Sequence, residues 1–512
     1  MKPTSRTSRQ IISKSASDHV RHSQILSLPV EITAIIFKLV CRARSEGSGN
    51  LRKEVALSHA CRSWRALALA RPEHWTYFHS NGEKSSELKR FQAYLERSKD
   101  KPLEIEFKVS VKFDIWAYRG VQRLLKEALK HTHRWRHFSL VSHHHDWYAP
   151  DLIQSLHAIS SHRLESLQIS LYAQSGPIMN GGPLPGPPKY IRGDAPNLSA
   201  LYLDETWFAA DPSWLLLLPN LKTLQIHAQK GVRATDGQVP AENTKVIFMC
   251  RNLESLSTVW KVFQEFGNTM PSSKVTAHKL KNIRCGDENI LRYLFHCVNA
   301  PSLELLVVHH LQISWNIRIA DIVDSNNGRP LLPALRTLAF VNCVLGNAWD
   351  RSERVFYDIA RLTETNERLY ITGWLDPRME NQVFEYMAKR YARDGTILFP
   401  ALEELYCASC QDNPRTEEIK YSNYLDVVRS RTERSVKKHC TLHLYEEEAD
   451  SWKSKYPTTW RALEQGDYYR RIPEEYPDGL DLVPWPARVA HYEECGWESF
   501  VERFTFSLAG KR

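Results

Sequence analysis

Four residues near the C-terminal third have spacing that could hold a metal. Cys407-x-x-Cys410 and Cys440-x-x-His443 each match a half-site for zinc, which favours thiolate and imidazole donors in a tetrahedral set. Their sequence context opposes that reading. Cys407 falls where a repeating apolar residue is expected, and a strand over 440–444 sends Cys440 and His443 to opposite faces. His143-His144-His145 is a second candidate, but its polar surroundings read as a solvated loop. No G-x-x-x-x-G-K-[ST], G-x-G-x-x-G or H-E-x-x-H occurs, so phosphate-cradling and zinc-protease chemistry lose their markers. No catalytic residue, metal ligand or cofactor is assigned, and a non-enzymatic role is expected.

The elements around these residues are more informative. The 512 residues exceed what one core usually serves, and no apolar run approaches the length of a membrane span. Ten cysteines are scattered without a disulfide-framework spacing, which places the chain in the reducing cytoplasm or nucleus. The net charge is +9, yet residues 444–512 carry 14 acidic and 9 basic side chains, leaving a basic body. Such a body could attract nucleic acid, but its lysines and arginines are dispersed among carboxylates, so nucleic acid is an alternative rather than the main reading. Residues 1–23 read as a disordered basic tail.

From Leu28 the texture becomes helical. Ser27-Leu28-Pro29-Val30-Glu31 is a helix start, with proline where its missing N–H costs nothing. Ile32, Ile35, Ile36, Leu39 and Val40 then form one apolar stripe, which predicts a helix buried along that side. After a Gly/Ser loop, helical texture resumes near Leu51 and stops at Pro72. Leu28-Pro29-Val30-Glu31-Ile32 with Ile36-Phe37, then Leu57-Ser58-His59-Ala60-Cys61-Arg62-Ser63-Trp64-Arg65, then Arg71-Pro72-Glu73-His74-Trp75, resemble the F-box of large fungal families. The pattern departs from that family at Ala60 and His74, where larger apolar residues are usual. The resemblance implies a three-helix F-box over 24–78 that docks to the Skp-type adaptor of an SCF ubiquitin ligase, and through it to a cullin. Carried over by position, the docking residues are Leu28, Pro29, Ile32, Ile36, Phe37, Leu57, Cys61 and Trp64.

Beyond a linking segment at 79–134, L-x-x-L-x-(apolar) recurs. Copies begin at Trp135, Leu164, Leu198, Leu221, Leu253, Leu280, Leu303, Leu335 and Leu402, with fragments at Leu369 and Leu442. Proline stands two residues before five of these starts, at 196, 219, 301, 333 and 400, where it would end one helix and extend the next segment. The fullest copy, Leu335 to Leu345, reads as the leucine-rich-repeat signature. The expected fold class is therefore α+β: a small helical F-box, then an irregular α/β leucine-rich-repeat-like solenoid over 135–445. A proline-rich insertion at 176–188 interrupts the array, and an aromatic, acidic cap at 446–512 closes it. In alternating strands, residues flanking the third apolar position share the opposite face, giving Tyr202, Gln225, His227, Arg284, His309 and Tyr406 as the candidate target-binding face. The implied function is a substrate receptor with an unknown target protein. An F-box scaffold working outside a ligase, or a nucleic-acid-binding repeat protein, are the alternatives. No membrane partner is expected.

Overall fold

The computed structural model describes residues 28–42, 53–80, 86–109, 115–142, 161–171, 195–204, 212–227, 240–259, 262–263, 274–309, 311–313, 331–341, 343–345, 363–373, 384–385, 387–388, 398–409, 417–432 and 440–472. The basic tail, the loop after Arg42, His143–His145, the proline-rich insertion, Cys410 and everything beyond Ile472 lie outside the described residues. The chain divides into two compact units, Met1–Tyr77 with Ala93–Lys101, and Phe78–Gln92 with Pro102–Arg512.

The first unit is helical: α1 (Val30–Arg42), α2 (Lys53–Ala60), α3 (Arg62–Ala70) and a 3-10 turn, Pro72–Trp75. Cys61 caps α3, its sulfur accepting from the Trp64 N–H at 3.5 Å. Trp75 is fully buried and its indole N–H donates to the Ala68 carbonyl at 2.8 Å, which ties the turn to α3. Tyr94 packs edge-on against Trp75 at 5.2 Å and bonds to Glu54 of α2, while the Arg97 guanidinium lies 4.3 Å over the Trp75 ring. An aromatic body with polar tips thus closes a core too small to bury much else.

The second unit is built on a 14-stranded sheet. In chain order its strands are β1 (Tyr77–Ser80), β2 (Leu103–Val109), β3 (Trp135–Ser142), β4 (Ser166–Leu171), β5 (Ala200–Asp204), β6 (Thr223–His227) and β7 (Ser255–Val259). After the short β8 (Val275–Thr276) come β9 (Asn282–Cys285), the short β10 (Val298–Asn299), β11 (Leu305–His309) and the short β12 (Gln312–Ile313). The remainder are β13 (Thr337–Val341), the short β14 (Val344–Leu345), β15 (Arg368–Gly373), β16 (Glu404–Ser409), β17 (Thr441–Leu444) and β18 (Tyr469–Arg471). The order across the sheet follows the order along the chain. Each pairing from β2 to β18 is parallel. Two further two-stranded sheets pair β8 with β10 and β12 with β14.

Every repeat copy read from the sequence lands on a strand of this sheet, and both fragments do as well, in β15 and β17. The architecture is mixed α/β, and it extends past the expected limits of the array. The linking segment supplies β2, which pairs with β3, and residues beyond Leu444 supply β18, which pairs with β17. Leu103, Ile105 and Phe107 alternate as a half-buried strand should, but without an L-x-x-L spacing they escaped the repeat pattern.

Register explains why the leucines are where they are. Phe138, Leu167, Leu201, Leu224, Leu256, Ile283, Leu306, Leu338, Leu369, Leu405 and Leu442 form one continuous column, and each is buried. Two residues on, a second buried column runs from Leu140 through Ile169, Leu203 and Ile226 to Thr258, Cys285, Val308, Phe340, Ile371, Cys407 and Leu444. A one-residue slip in any strand would turn both columns out of the core, so the register is strongly specified.

The residue after each first leucine makes a second ladder. The N–H of Glu165, Ser199, Lys222, Glu254, Lys281, Glu304, Arg336, Glu367 and Glu403 donates to the carbonyl of the equivalent residue one copy earlier, at 2.8–3.0 Å. Their side chains largely alternate in sign and include the pairs Arg136–Glu165 at 3.0 Å, Lys222–Glu254 at 3.6 Å and Arg336–Glu367 at 3.4 Å. Exposed pairs add little stability, but like charges in neighbouring copies would oppose stacking. Asn197, Asn220 and Asn252 reinforce the same rim, donating side-chain amides to the carbonyls of His162, Pro196 and Pro219.

α4 (Glu87–Arg97) and α5 (Ile115–Leu129) precede the repeat copies. Later come α6 (Thr244–Phe248), α7 (Glu288–Cys297), α8 (Glu417–Thr432), α9 (Glu446–Lys455) and α10 (Pro457–Gln465). At the C-terminal end Trp452 is fully buried, stacks on Tyr421 of α8 at 4.5 Å and meets Trp460 edge-on at 5.7 Å. Tyr421, Trp452 and Trp460 thus form one buried aromatic cluster shared by α8, α9 and α10.

Candidate docking surfaces

The first surface is one side of α1. The helix is anchored by Thr33 and Phe37, one turn apart and both buried. The Thr33 hydroxyl and N–H both reach the Pro29 carbonyl, closing the first turn. Phe37 packs edge-on against Trp64 at 5.0 Å and lies 5.9 Å from the His74 ring. The apolar stripe expected to form the core points elsewhere. Ile32, Ile35 and Leu39 are 43%, 54% and 62% exposed, Leu28 and Val30 are exposed, and Ile36 and Val40 are half-buried. The stripe and the buried pair sit on different sides of one helix. An amphipathic pattern identifies an apolar side without stating whether the chain's own core or another molecule will cover it.

The eight expected docking residues therefore separate. Leu28, Pro29 and Ile32 are exposed, whereas Ile36, Leu57, Cys61 and Trp64 are half-buried. Phe37 is inaccessible and is a core residue of the unit, not a contact. Ile35 and Leu39, outside the expected set, are more exposed than most within it; the same periodicity that marks Ile32 and Ile36 could have found them. The Cys61 thiol is held below its ordinary value by hydrogen bonds from Ser63 and the Trp64 N–H.

The second surface is the sheet face opposite the leucine columns. Tyr202, Gln225, Ser257, Arg284, Val307, Ala339, Tyr370, Tyr406, His443 and Arg470 lie in one register column there, as the alternation predicts. Not all are accessible. Tyr202 is buried, and His309 is completely buried with Nε2 3.1 Å from the Thr258 carbonyl, so neither offers a surface contact. Gln225, Arg284 and Tyr406 are half-buried. His227 belongs to β6, but its side chain lies outside the described residues.

The column changes character along its length. Leu305, Val307, Ala339, Val341 and Tyr370 form a buried apolar cluster on which Tyr406 packs. Tyr370, Tyr406 and His443 then stack face to face at 4.1 Å per step, with interplanar angles of 9° and 11°. Burial raises both tyrosines, with the Glu404 carboxylate adding to it at Tyr406, and Glu404 is itself paired with Arg368 at 3.0 Å. Burial, aided by Arg470, pushes His443 down to about 4, so its ring is neutral at physiological pH.

This geometry separates the proposed metal half-sites. Cys407 lies in the second leucine column beside Leu444, while His443 stacks on Tyr406 across the sheet. Among the described residues no group of three or more metal-ligating side chains converges. Asp287 is the most unusual buried charge. It caps α7 through the Asn289 N–H at 2.7 Å and holds the Val262 and Phe263 N–H groups at 2.6 and 2.8 Å, and burial raises it to about 6. Its partners are backbone groups, which makes it a structural clip. No helix among the described residues is long and apolar enough to cross a membrane.

No family model matches this chain, and no curated protein matches its sequence.

Proposed function

We propose that this protein is an F-box substrate receptor, a non-catalytic subunit that docks to a Skp-type adaptor of an SCF ubiquitin ligase and holds a target protein with its repeat array. The observation that carries the reading is the open stripe on α1. A helix anchored by Phe37 leaves Ile32, Ile35 and Leu39 in water, in the segment whose sequence resembles the F-box opening. Exposed apolar side chains on this scale favour burial against a partner. The second half of the resemblance is spatially consistent, since Trp64 packs on Phe37 and Cys61 caps α3. The in-order parallel sheet with continuous leucine columns supports reading the second unit as a leucine-rich-repeat solenoid. Its opposite face, with half-exposed Gln225, Arg284 and Tyr406, is the proposed target contact. Such a receptor contributes proximity: tethering raises the effective concentration of target lysines near the ligase's catalytic subunit.

The test is a pull-down of the full chain with a recombinant Skp-type adaptor, repeated with cullin present. Wild type should be retained, and a Leu28→Ala/Ile32→Ala/Ile35→Ala variant of unchanged circular dichroism should be lost. A folded wild type that the adaptor does not retain would overturn the reading. Retention by the adaptor without recruitment of cullin would move the protein to a scaffold role outside the ligase.

A further inference from the structure

His74 occupies a position where an apolar residue would serve the helical unit better. It sits inside the 3-10 turn between Pro72 and Trp75, with 8% of its surface exposed. Its ring lies against Phe37, the side chain that anchors α1. Its Nε2 is out of solvent's reach and has no hydrogen-bond partner among the described residues. A neutral imidazole tolerates this site at modest cost. An imidazolium would carry an N–H at Nε2 with no acceptor, and a charge facing an aromatic core.

The surrounding charges do not compensate. Glu73 favours protonation and Arg71 opposes it, and burial outweighs both, holding the ring below its ordinary value. Glu73 is exposed and engaged by Lys101 at 3.0 Å. The charged side chains of α1 described here, Glu31 and Lys38, are exposed, as are Arg62 and Arg65 of α3. On α1, His74 meets the Phe37 ring.

We propose that His74 makes the docking unit acid-sensitive: a proton taken up at its buried ring loosens Phe37 and releases α1, with its exposed stripe, from the rest of the unit. The sign follows from linkage. A histidine held below its ordinary value in the folded state supports folding above pH 6.5, and that support is lost progressively as the pH falls below 6.5 toward the lowered folded-state value. The loss at pH 5.5 is bounded at about tenfold in the opening equilibrium, because the unfolded ring gains at most that factor over a folded ring that stays neutral. The consequence for adaptor docking rests on the proposed function; the acid sensitivity itself does not.

The experiment is hydrogen–deuterium exchange of the α1 segment in the full chain, corrected for intrinsic rates, at pH 7.5, 6.5 and 5.5. Wild type should lose up to about tenfold of its α1 protection between pH 7.5 and 5.5. His74→Leu should hold its protection level across the range, and His74→Gln, neutral but polar, should be lower throughout and equally flat. Since the readout is the slope with pH, a variant that merely shifts overall stability does not mimic the result. A flat wild-type profile, or the same slope in both variants, would overturn the proposal. Adaptor binding over the same pH range is the second arm. Absence of binding at every pH removes the F-box reading and leaves the exchange result to decide the role of His74. Binding that weakens at pH 5.5 in wild type and not in His74→Leu supports the acid-sensitive docking unit.

Discussion

α1 and β11 are both strongly apolar, yet they meet opposite fates. All five residues of β11, Leu305 to His309, are buried, so both faces of that strand are covered. α1 carries more apolar side chains and leaves four large aliphatic ones, Val30, Ile32, Ile35 and Leu39, more than 40% exposed. The difference lies in the neighbours. A strand inside this sheet has a hydrogen-bonded partner on each side and inherits the register of its columns. A helix at the start of a small unit has one packing side, which Phe37 and Thr33 already occupy. Apolar content states how much burial is sought, and the surroundings decide whether the chain itself provides it.

The largest effect that would sharpen this comparison is expected in the sheet. Leu338→Ala removes a fully buried side chain from the middle of the first column and should cost about 3 kcal/mol. A urea midpoint that barely moves would show the columns to be loosely packed. A comparable effect should follow from pH alone at Asp287. Its carboxyl rises from 3.8 to about 6 in the folded state, so the folded protein holds that proton more tightly than the unfolded chain. This contribution is fully present below about pH 4 and is lost as the pH rises through 6, a change of about 3 kcal/mol. Comparing wild type with Asp287→Asn by urea unfolding at pH 4 and 7 isolates it, and a stability difference that is equal at the two pH values would contradict the burial of this charge.

A smaller effect of opposite sign is expected at Asn366. It takes the place of the first leucine in the copy that leads into β15 and is completely buried, with neither amide atom hydrogen-bonded among the described residues. Asn366→Leu should stabilise the chain by about 2 kcal/mol, read as a higher melting temperature. No gain would indicate that the amide is satisfied in solution. The smallest change in stability belongs to α1. Leu39→Ala, at a side chain 62% exposed, should alter unfolding by no more than about 0.5 kcal/mol while weakening the proposed adaptor binding at least about tenfold. A large loss of stability there would place Leu39 in a core and remove the contrast between the two regions.

Much of the sheet was legible in the residues. Each L-x-x-L copy marked a strand, because leucines at that spacing have a single buried outcome once copies stack. The fragments at Leu369 and Leu442 proved to be full members of the same columns, one of them concealed by Asn366 in place of its first leucine. β2 and β18 were hidden for a different reason: they join the sheet through backbone hydrogen bonds and carry no leucine signature. At the proposed target face the alternation placed Tyr202, Gln225, Arg284 and Tyr406 in one column correctly, but accessibility depends on side-chain packing that alternation does not state. That is why Tyr202 and His309 turned out buried.

The sequence alone determined which side chains share a strand face, which positions begin each copy, and that an apolar stripe runs along α1. Those are properties of local periodicity, fixed by the geometry of the helix and the strand. Tertiary structure decided which of two apolar sides of α1 is buried, that His74 lies against Phe37, and that Tyr370, Tyr406 and His443 stack into one ladder. These outcomes depend on contacts between residues far apart in the chain, and no local pattern encodes them.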